Sequence, residues 1–404
     1  MAGSAPQAGF LVEKMSVSQS SRLGIVSLAI AGVVTVTFLA GVQAGLLVLI
    51  GIGFGLALQG FGFGFTGGWR RMIQARDPSG MLAQMALMVV ASALALPLLA
   101  AFPEELVGAV APISWSLIIG AFIFGIAMQL ADGCGSGSLN KAGAGNIYSW
   151  AVMPSFIFGS FIGASHQPAW VSLGGPLDAL APDPALGFSI SLLPAFGSTG
   201  AILVNVLICL IVGWVFLRMR ATVTPLSATP GSASGLASTV WNMPWLKAAA
   251  VIGVLYAVHL AVAGQPWGIV YGLGLWGAKI AAGLGVNLAD DAFWGVAPHA
   301  ARLTEPVLWD ITSLTNIGLL FGTMAASRWT NPDAARNFLS VRQWVIGLAA
   351  GLVLGYSARM AFGCNIGGFL GGVASASLHG WVWFAMAFLG SILGVGLRKR
   401  LGMG

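Results

Sequence analysis

Eleven long apolar stretches dominate the chain, near residues 23–42, 44–62, 80–101, 115–131, 147–165, 193–217, 245–264, 267–285, 306–327, 343–362 and 378–397. Almost no charge interrupts them. Charged residues make up 7% of the sequence and hydrophobic ones 57%, a balance that a water-soluble core cannot absorb. The runs are continuous rather than alternating, so they read as helices. A chain built this way satisfies its backbone polar groups inside a bilayer only as a helical bundle. The expectation is an all-α polytopic membrane protein.

The net charge is +6, yet the basic residues do not form a nucleic-acid-binding stripe. They gather at segment ends: Arg70, Arg71 and Arg76; Arg218 and Arg220; Arg328, Arg336 and Arg342; Arg398, Lys399 and Arg400. By the positive-inside rule these ends face the cytoplasm. Glu104, Glu105, Asp178, Asp183, Asp290 and Asp291 occupy other loops. No cleavable leader is evident, so residues 1–22 read as a cytoplasmic tail. Both termini are expected on the cytoplasmic side of a bacterial inner membrane. A stretch rich in Ser, Thr, Ala, Gly and Pro, 221–242, divides the first membrane half (23–220) from the second (243–404). Simple alternation fails between residues 245 and 342, so one segment there either does not span or enters and returns.

Inside this apolar background a spacing recurs. A glycine is followed nine residues later by a cysteine or glycine, and three residues after that by another glycine. It occurs at Gly55, Gly64 and Gly67, at Gly125, Cys134 and Gly137, and at Gly355, Cys364 and Gly367. A fourth, looser copy lies within 272–287. Each copy breaks a long helix, and short re-entrant helices are expected at 66–73, 136–146 and 366–374. Interrupted helices in matching parts of two halves are a transporter signature. The expected architecture is two pseudo-symmetric halves whose short helices meet at mid-membrane.

The substrate path is placed at these breaks: Gly64, Thr66 and Gly67; Gly133, Cys134, Gly135 and Ser136; Gly363, Cys364, Asn365, Ile366 and Gly367. Short-helix N-termini present free N–H groups that favour anions, and glycine permits close backbone approach. A thiol is polarizable and suits sulfur better than a hard oxyanion. Two thiols in equivalent positions argue against simple packing, whereas Cys209, mid-helix among aliphatic residues, reads as a packed small residue. Arg359 either balances a bound anion or pairs with Asp132. Lys141 reaches substrate, a loop carbonyl or the interface. Asp132 is assigned a structural role, and Lys279 and Asp310 are candidates for a buried pair. The tryptophans near segment ends, including Trp69, Trp115, Trp150, Trp344, Trp381 and Trp383, read as interfacial anchors. The four histidines and the cysteines have no zinc spacing, and no phosphate loop or hydrolytic triad is present, so no cofactor or metal is assigned.

The run from Gly355 through Arg359 to Gly363, Cys364 and Asn365, followed by Ser377, Leu378, His379, Gly380 and Trp381, resembles the YeeE/YedE family of bacterial sulfur-compound transporters. Gly133, Cys134 and Gly135 resemble that family's second cysteine segment. Residues 63–67 resemble its first, with Gly64 in place of the cysteine. The resemblance implies an inner-membrane fold and uptake of thiosulfate or a related sulfur anion, with Cys134 and Cys364 lining the narrow path. It also implies a possible cytoplasmic sulfurtransferase-like partner. Two alternatives stay open: a membrane thiol protein that relays persulfide sulfur to a cytoplasmic carrier, and a transporter of an unrelated solute.

Overall fold

A computed structural model describes residues 19–180, 188–220, 244–330 and 340–403. The expected linker 221–242, most of the expected tail and Asp183 lie outside the described residues. In chain order the helices are α1 (Gln19–Ala40), α2 (Val42–Gly60), α3 (Phe65–Ala75), α4 (Ser79–Ala101), α5 (Trp115–Leu130), α6 (Gly135–Gly143), α7 (Ile147–Val171), α8 (Leu192–Arg218), α9 (Pro244–Ala263), α10 (Ile269–Gly283), α11 (His299–Thr304), α12 (Ile311–Thr330) and α13 (Val341–Met360). A π-helical turn, Asn365–Leu370, then runs into α14 (Gly371–Ala374), and α15 (Leu378–Arg400) completes the bundle.

All eleven apolar stretches are helical. Among the described residues nine helical stretches are long and apolar enough to cross a bilayer. α10 is not one of them: its 15 residues reach about 22 Å, short of a hydrocarbon core of roughly 30 Å. α12 is long enough but buries Thr312, Ser313, Thr315, Asn316 and Thr323. These two helices lie where simple alternation fails.

Helices from either side of residues 221–242 interleave. α2 packs on α12, α5 on α15 and α7 on α13, while α4 holds α8 and α9. The first glycine of each repeat marks one crossing point. A Cβ on Gly55 would strike backbone at Leu319 and Thr323 of α12, one on Gly125 the Ala387 carbonyl of α15, and one on Gly355 the Phe156 carbonyl of α7. Without a hydrophobic drive between helices in lipid, such backbone-close packing holds the bundle. α1 stands at the side of this bundle against α2 and α12, with Leu23, Ile30, Val34 and Phe38 exposed.

After α2, α5 and α13 the chain makes the same turn. Gly62, Asp132 and Phe362 take left-handed φ values of 63°, 58° and 57°. Two residues later Gly64, Cys134 and Cys364 are extended and cap the short helix that follows. The expected fourth copy has only the beginning of this turn. Gly285 is left-handed, with φ of 91°, but Asn287 lies at the surface and the next helix, α11, starts only at His299.

Two tryptophans depart from the interfacial expectation. Trp69 and Trp383 are fully buried, and their indole N–H groups donate inside the protein, to Gln84 Oε1 at 2.6 Å and to the Gly363 carbonyl at 3.1 Å. Trp115, Trp150 and Trp344 are exposed, as an anchor must be.

Candidate functional site

The turns bearing Cys134 and Cys364 meet in the interior. Cys134 is 1% exposed and Cys364 0%. Gly135 lies directly against the second thiol, for a Cβ built on Gly135 would sit 3.2 Å from Cys364 Sγ and 3.5 Å from the Phe156 ring. Cys134 caps α6, its sulfur accepting from the Gly137 N–H at 3.4 Å and lying 3.3 Å from Ser136 Oγ. The Ser136 N–H faces both sulfurs, and the N–H groups of Ile366 and Gly367 face Cys364. Backbone N–H groups of Ser136, Ile366 and Gly367 thus converge on the sulfurs, an arrangement that favours negative charge. Among the described residues all three cysteines are free thiols.

Two glycines make the turns possible. A side chain on Gly133 would meet Ser138 Oγ at 2.6 Å, and one on Gly363, whose φ is 142°, would meet the Gly368 nitrogen at 2.5 Å. Gly137 and Gly367 are uncrowded by comparison, with a Cβ finding its nearest neighbours 3.5 and 3.8 Å away. The upstream glycines of the repeat therefore serve helix crossing, and Gly137 leaves the space beside the Cys134 sulfur free of a side chain.

Asn365, next to Cys364, is 0% exposed, and neither its Oδ1 nor its Nδ2 has a partner among the described residues. A wholly buried amide with both ends unpaired costs on the order of 1–3 kcal/mol per unmet group, so proteins rarely keep one without a use. Ile366 is buried beside it.

The Cys134 turn is held by charge. Asp132 binds Arg70 at 2.7 Å, Lys141 at 2.5 Å and Arg398 at 3.5 Å, tying α3, α6 and α15 to the end of α5. Lys141 also donates to the Asp132 carbonyl. Asn140 extends the brace, donating to Gln59 of α2 and accepting from Thr323 of α12. The Cys364 turn is held by backbone and aromatic contacts. Trp383 grips the Gly363 carbonyl, Phe369 stacks parallel to Trp383 at 6.3 Å, and Phe124 lies 5.3 Å from the same ring. Beyond α14, His379 Nδ1 meets Ser377 Oγ at 2.8 Å, and the His379 ring lies directly against Gly372 of that short helix.

Several expected roles change. Arg359 does not pair with Asp132. Its guanidinium lies over the rings of Phe293 (4.8 Å) and Tyr271 (5.8 Å) and donates to Gln167 Oε1 at 2.8 Å, with Nε unpartnered among the described residues. Phe293 in turn stacks on His299 at 4.0 Å. Burial and the nearby cations Arg359 and Arg302 push the His299 imidazole down to about 4, so it is neutral at pH 7. Of the alternatives for Lys141, the structure has the loop carbonyl, that of Asp132, whose carboxylate it also binds. Lys279 and Asp310 form no direct pair: Lys279 donates to the carbonyls of Arg302, Leu303 and Glu305, while Asp310 faces Arg302 and caps α12 through Ser313. Cys209 is buried in α8, as its neighbours imply.

The Gly64 turn has the same shape but another setting. Gly64 and Gly67 are exposed, and a Cβ on Gly64 would meet nothing within 4 Å. Thr66 is buried, its hydroxyl 3.8 Å from Met128 Sδ. Sequence reasoning missed Arg70, Arg398 and Trp383 as parts of the site. Arg70 carried a signal, since it falls inside the short helix rather than in a loop.

Comparison with known proteins adds an independent line. Residues 62–393 match the family described as "Sulphur transport". The probable transporter YedE of Salmonella typhimurium is 31% identical over 152 residues, 37% of each chain. The thiosulfate transporter TsuA of Escherichia coli is 24% identical over 283 residues, 68% of this chain and 71% of that one. TsuA of Spirochaeta thermophila is 28% identical, over 68% of this chain and 74% of that one. The match to the YedE relatives thus spans little more than a third of their length.

Proposed function

We propose a transport function on one premise: the chain belongs to the sulphur transport family. It carries a small sulfur-containing anion of the thiosulfate type across the inner membrane, through a path on which Cys134 and Cys364 stand. One observation supports this reading above the others. Backbone N–H groups converge on two buried thiols, and the adjoining Asn365 amide is buried with no partner among the described residues. The N–H groups offset the anion's charge without a full cation, and the thiols meet its terminal sulfur through S–H···S contacts. Asn365 Nδ2 supplies a donor for an anionic oxygen. No covalent step is needed.

The positive-inside rule puts Arg70, Arg71, Arg76, Arg398, Lys399 and Arg400 in the cytoplasm. The ionic clamp at Asp132 then lies toward the cytoplasmic exit, where a sulfurtransferase-like partner would receive the anion. The persulfide relay is less well supported, because such chemistry uses an accessible thiolate and both thiols are buried.

The test is uptake by proteoliposomes holding the purified protein. Labelled thiosulfate enters, unlabelled thiosulfate competes, and sulfate and selenite compete at least tenfold less. If sulfate competes as well as thiosulfate, or no sulfur anion enters, the reading fails.

A further inference from the structure

A groove runs between α1 and the bundle, with a volume of about 490 Å³ and walls formed by α1, α2 and α12. Val26, Ile30 and Val34 of α1 face Leu49 and Leu56 of α2, and Trp329 closes one end. Along α1 the groove extends from Val26 to Val34, about 12 Å at the helical rise. Arg22 lies one helical turn beyond that end. Half of a hydrocarbon core is about 15 Å deep, so the groove has the length of one leaflet.

The closed end is cationic and aromatic. The Arg22 guanidinium sits over the Trp329 ring, 5.6 Å from its centroid, and its buried Nε has no hydrogen-bond partner among the described residues. Arg328 is exposed in the last turn of α12, next to Trp329. A tryptophan at this depth marks the membrane interface, and two cations beside it attract negative charge. α1 and α2 both lie outside residues 62–393, so two of the groove's three walls are additional to the family-matched region.

We propose that this groove is a binding site for an anionic phospholipid. One acyl chain lies along α1 against Leu49 and Leu56, and the phosphate meets Arg22 with Arg328 nearby. The apolar walls fit any acyl chain; the cationic end is what selects an anionic headgroup over a zwitterionic one. The bound lipid fills the gap beside α1 and holds that helix to α2 and α12. This site is remote in sequence from the Cys134 and Cys364 turns and does not depend on the transport reading.

The experiment is lipid retention by the full-length protein, released from nanodiscs containing equal phosphatidylglycerol and phosphatidylethanolamine and weighed by native mass spectrometry. Wild type retains phosphatidylglycerol preferentially. Arg22→Gln lowers that preference about fivefold, the effect of one basic group at an anionic surface. Arg22→Lys keeps most of it, which separates charge from folding. Ala29→Trp, which fills the groove, reduces retention of both lipids. Equal retention by wild type, or an unchanged preference in Arg22→Gln, overturns the site. So does a disulfide between two copies of Val34→Cys formed with no lipid retained, since a second copy would then occupy the groove.

Discussion

The Cys134 and Cys364 turns share a backbone path and differ in what holds them. At both, a left-handed residue precedes a glycine and then an extended cysteine that caps a short helix. The first is fixed by one carboxylate, Asp132, binding three cations. The second is fixed by an indole on a carbonyl and by stacked rings. An aspartate tolerates the left-handed region better than most residues and brings a charge that can be used nearby. Phe362 has no such tolerance, so its φ of 57° is a conformation that the surrounding packing imposes. Backbone geometry sets the position of the sulfur, and the clamp is free to suit its side of the membrane.

That contrast can be broken experimentally. The largest effect is expected from Asp132→Ala, which leaves Arg70, Lys141 and Arg398 facing one another. A partly exposed ion cluster that loses its central anion loses roughly 2–3 kcal/mol, with lower protein yield and lower uptake. Thermal unfolding in detergent measures it, and the loss shrinks in high salt because the cations are then screened. If the melting point of Asp132→Ala matches wild type, the ionic clamp has no structural role.

Trp383→Phe tests the other clamp. It keeps the ring but strands the buried Gly363 carbonyl, at a cost of about 1–2 kcal/mol. Salt leaves this loss unchanged, so a salt-dependent loss would erase the contrast.

The Cys364 side responds to pH instead. His299 stacks on Phe293, which lies under Arg359, and its folded pKa of about 4 is below the unfolded value of 6.5. The unfolded chain therefore binds the proton first, and stability present above pH 6.5 is lost as pH falls toward 4. His299→Gln removes this part of the slope in a melting series from about pH 7 to about pH 4.5. An identical slope in both proteins contradicts the assignment.

The smallest effect belongs to Gly64→Cys. The position is extended and open, so stability changes by about 0.5 kcal/mol or less. The introduced thiol reacts with a maleimide in the folded protein, while Cys134 and Cys364 react only after denaturation. Intact-mass counting of adducts decides this, and protection of the introduced thiol would show that the third turn is closed like the other two.

Much of this was legible in the sequence, for definite reasons. Long apolar runs leave few options in a bilayer, so all eleven stretches were found as helices. Glycine spacing marked the three turns because helix crossing and turn geometry both require the absence of a Cβ. The clamps were less visible. Arg398 and Asp132 are separated by most of the chain, and segment-end arginines have a general topological explanation that hides a specific one. Trp383 resembled an interfacial anchor because burial of an indole depends on a partner, Gly363, that only the folded turn supplies. Charge alone offers Arg359 a bound anion or Asp132, and does not reveal the aromatic berth that Phe293 and Tyr271 give it.

The central claim is that Cys134 and Cys364 form one site. Labelled thiosulfate uptake should be measured in proteoliposomes of Cys134→Ala, Cys364→Ala and the double variant. Groups that act as a unit are non-additive, so each single variant should lose nearly as much uptake as the double. Single variants that transport at the wild-type rate, or losses that simply multiply in the double variant, would contradict the account.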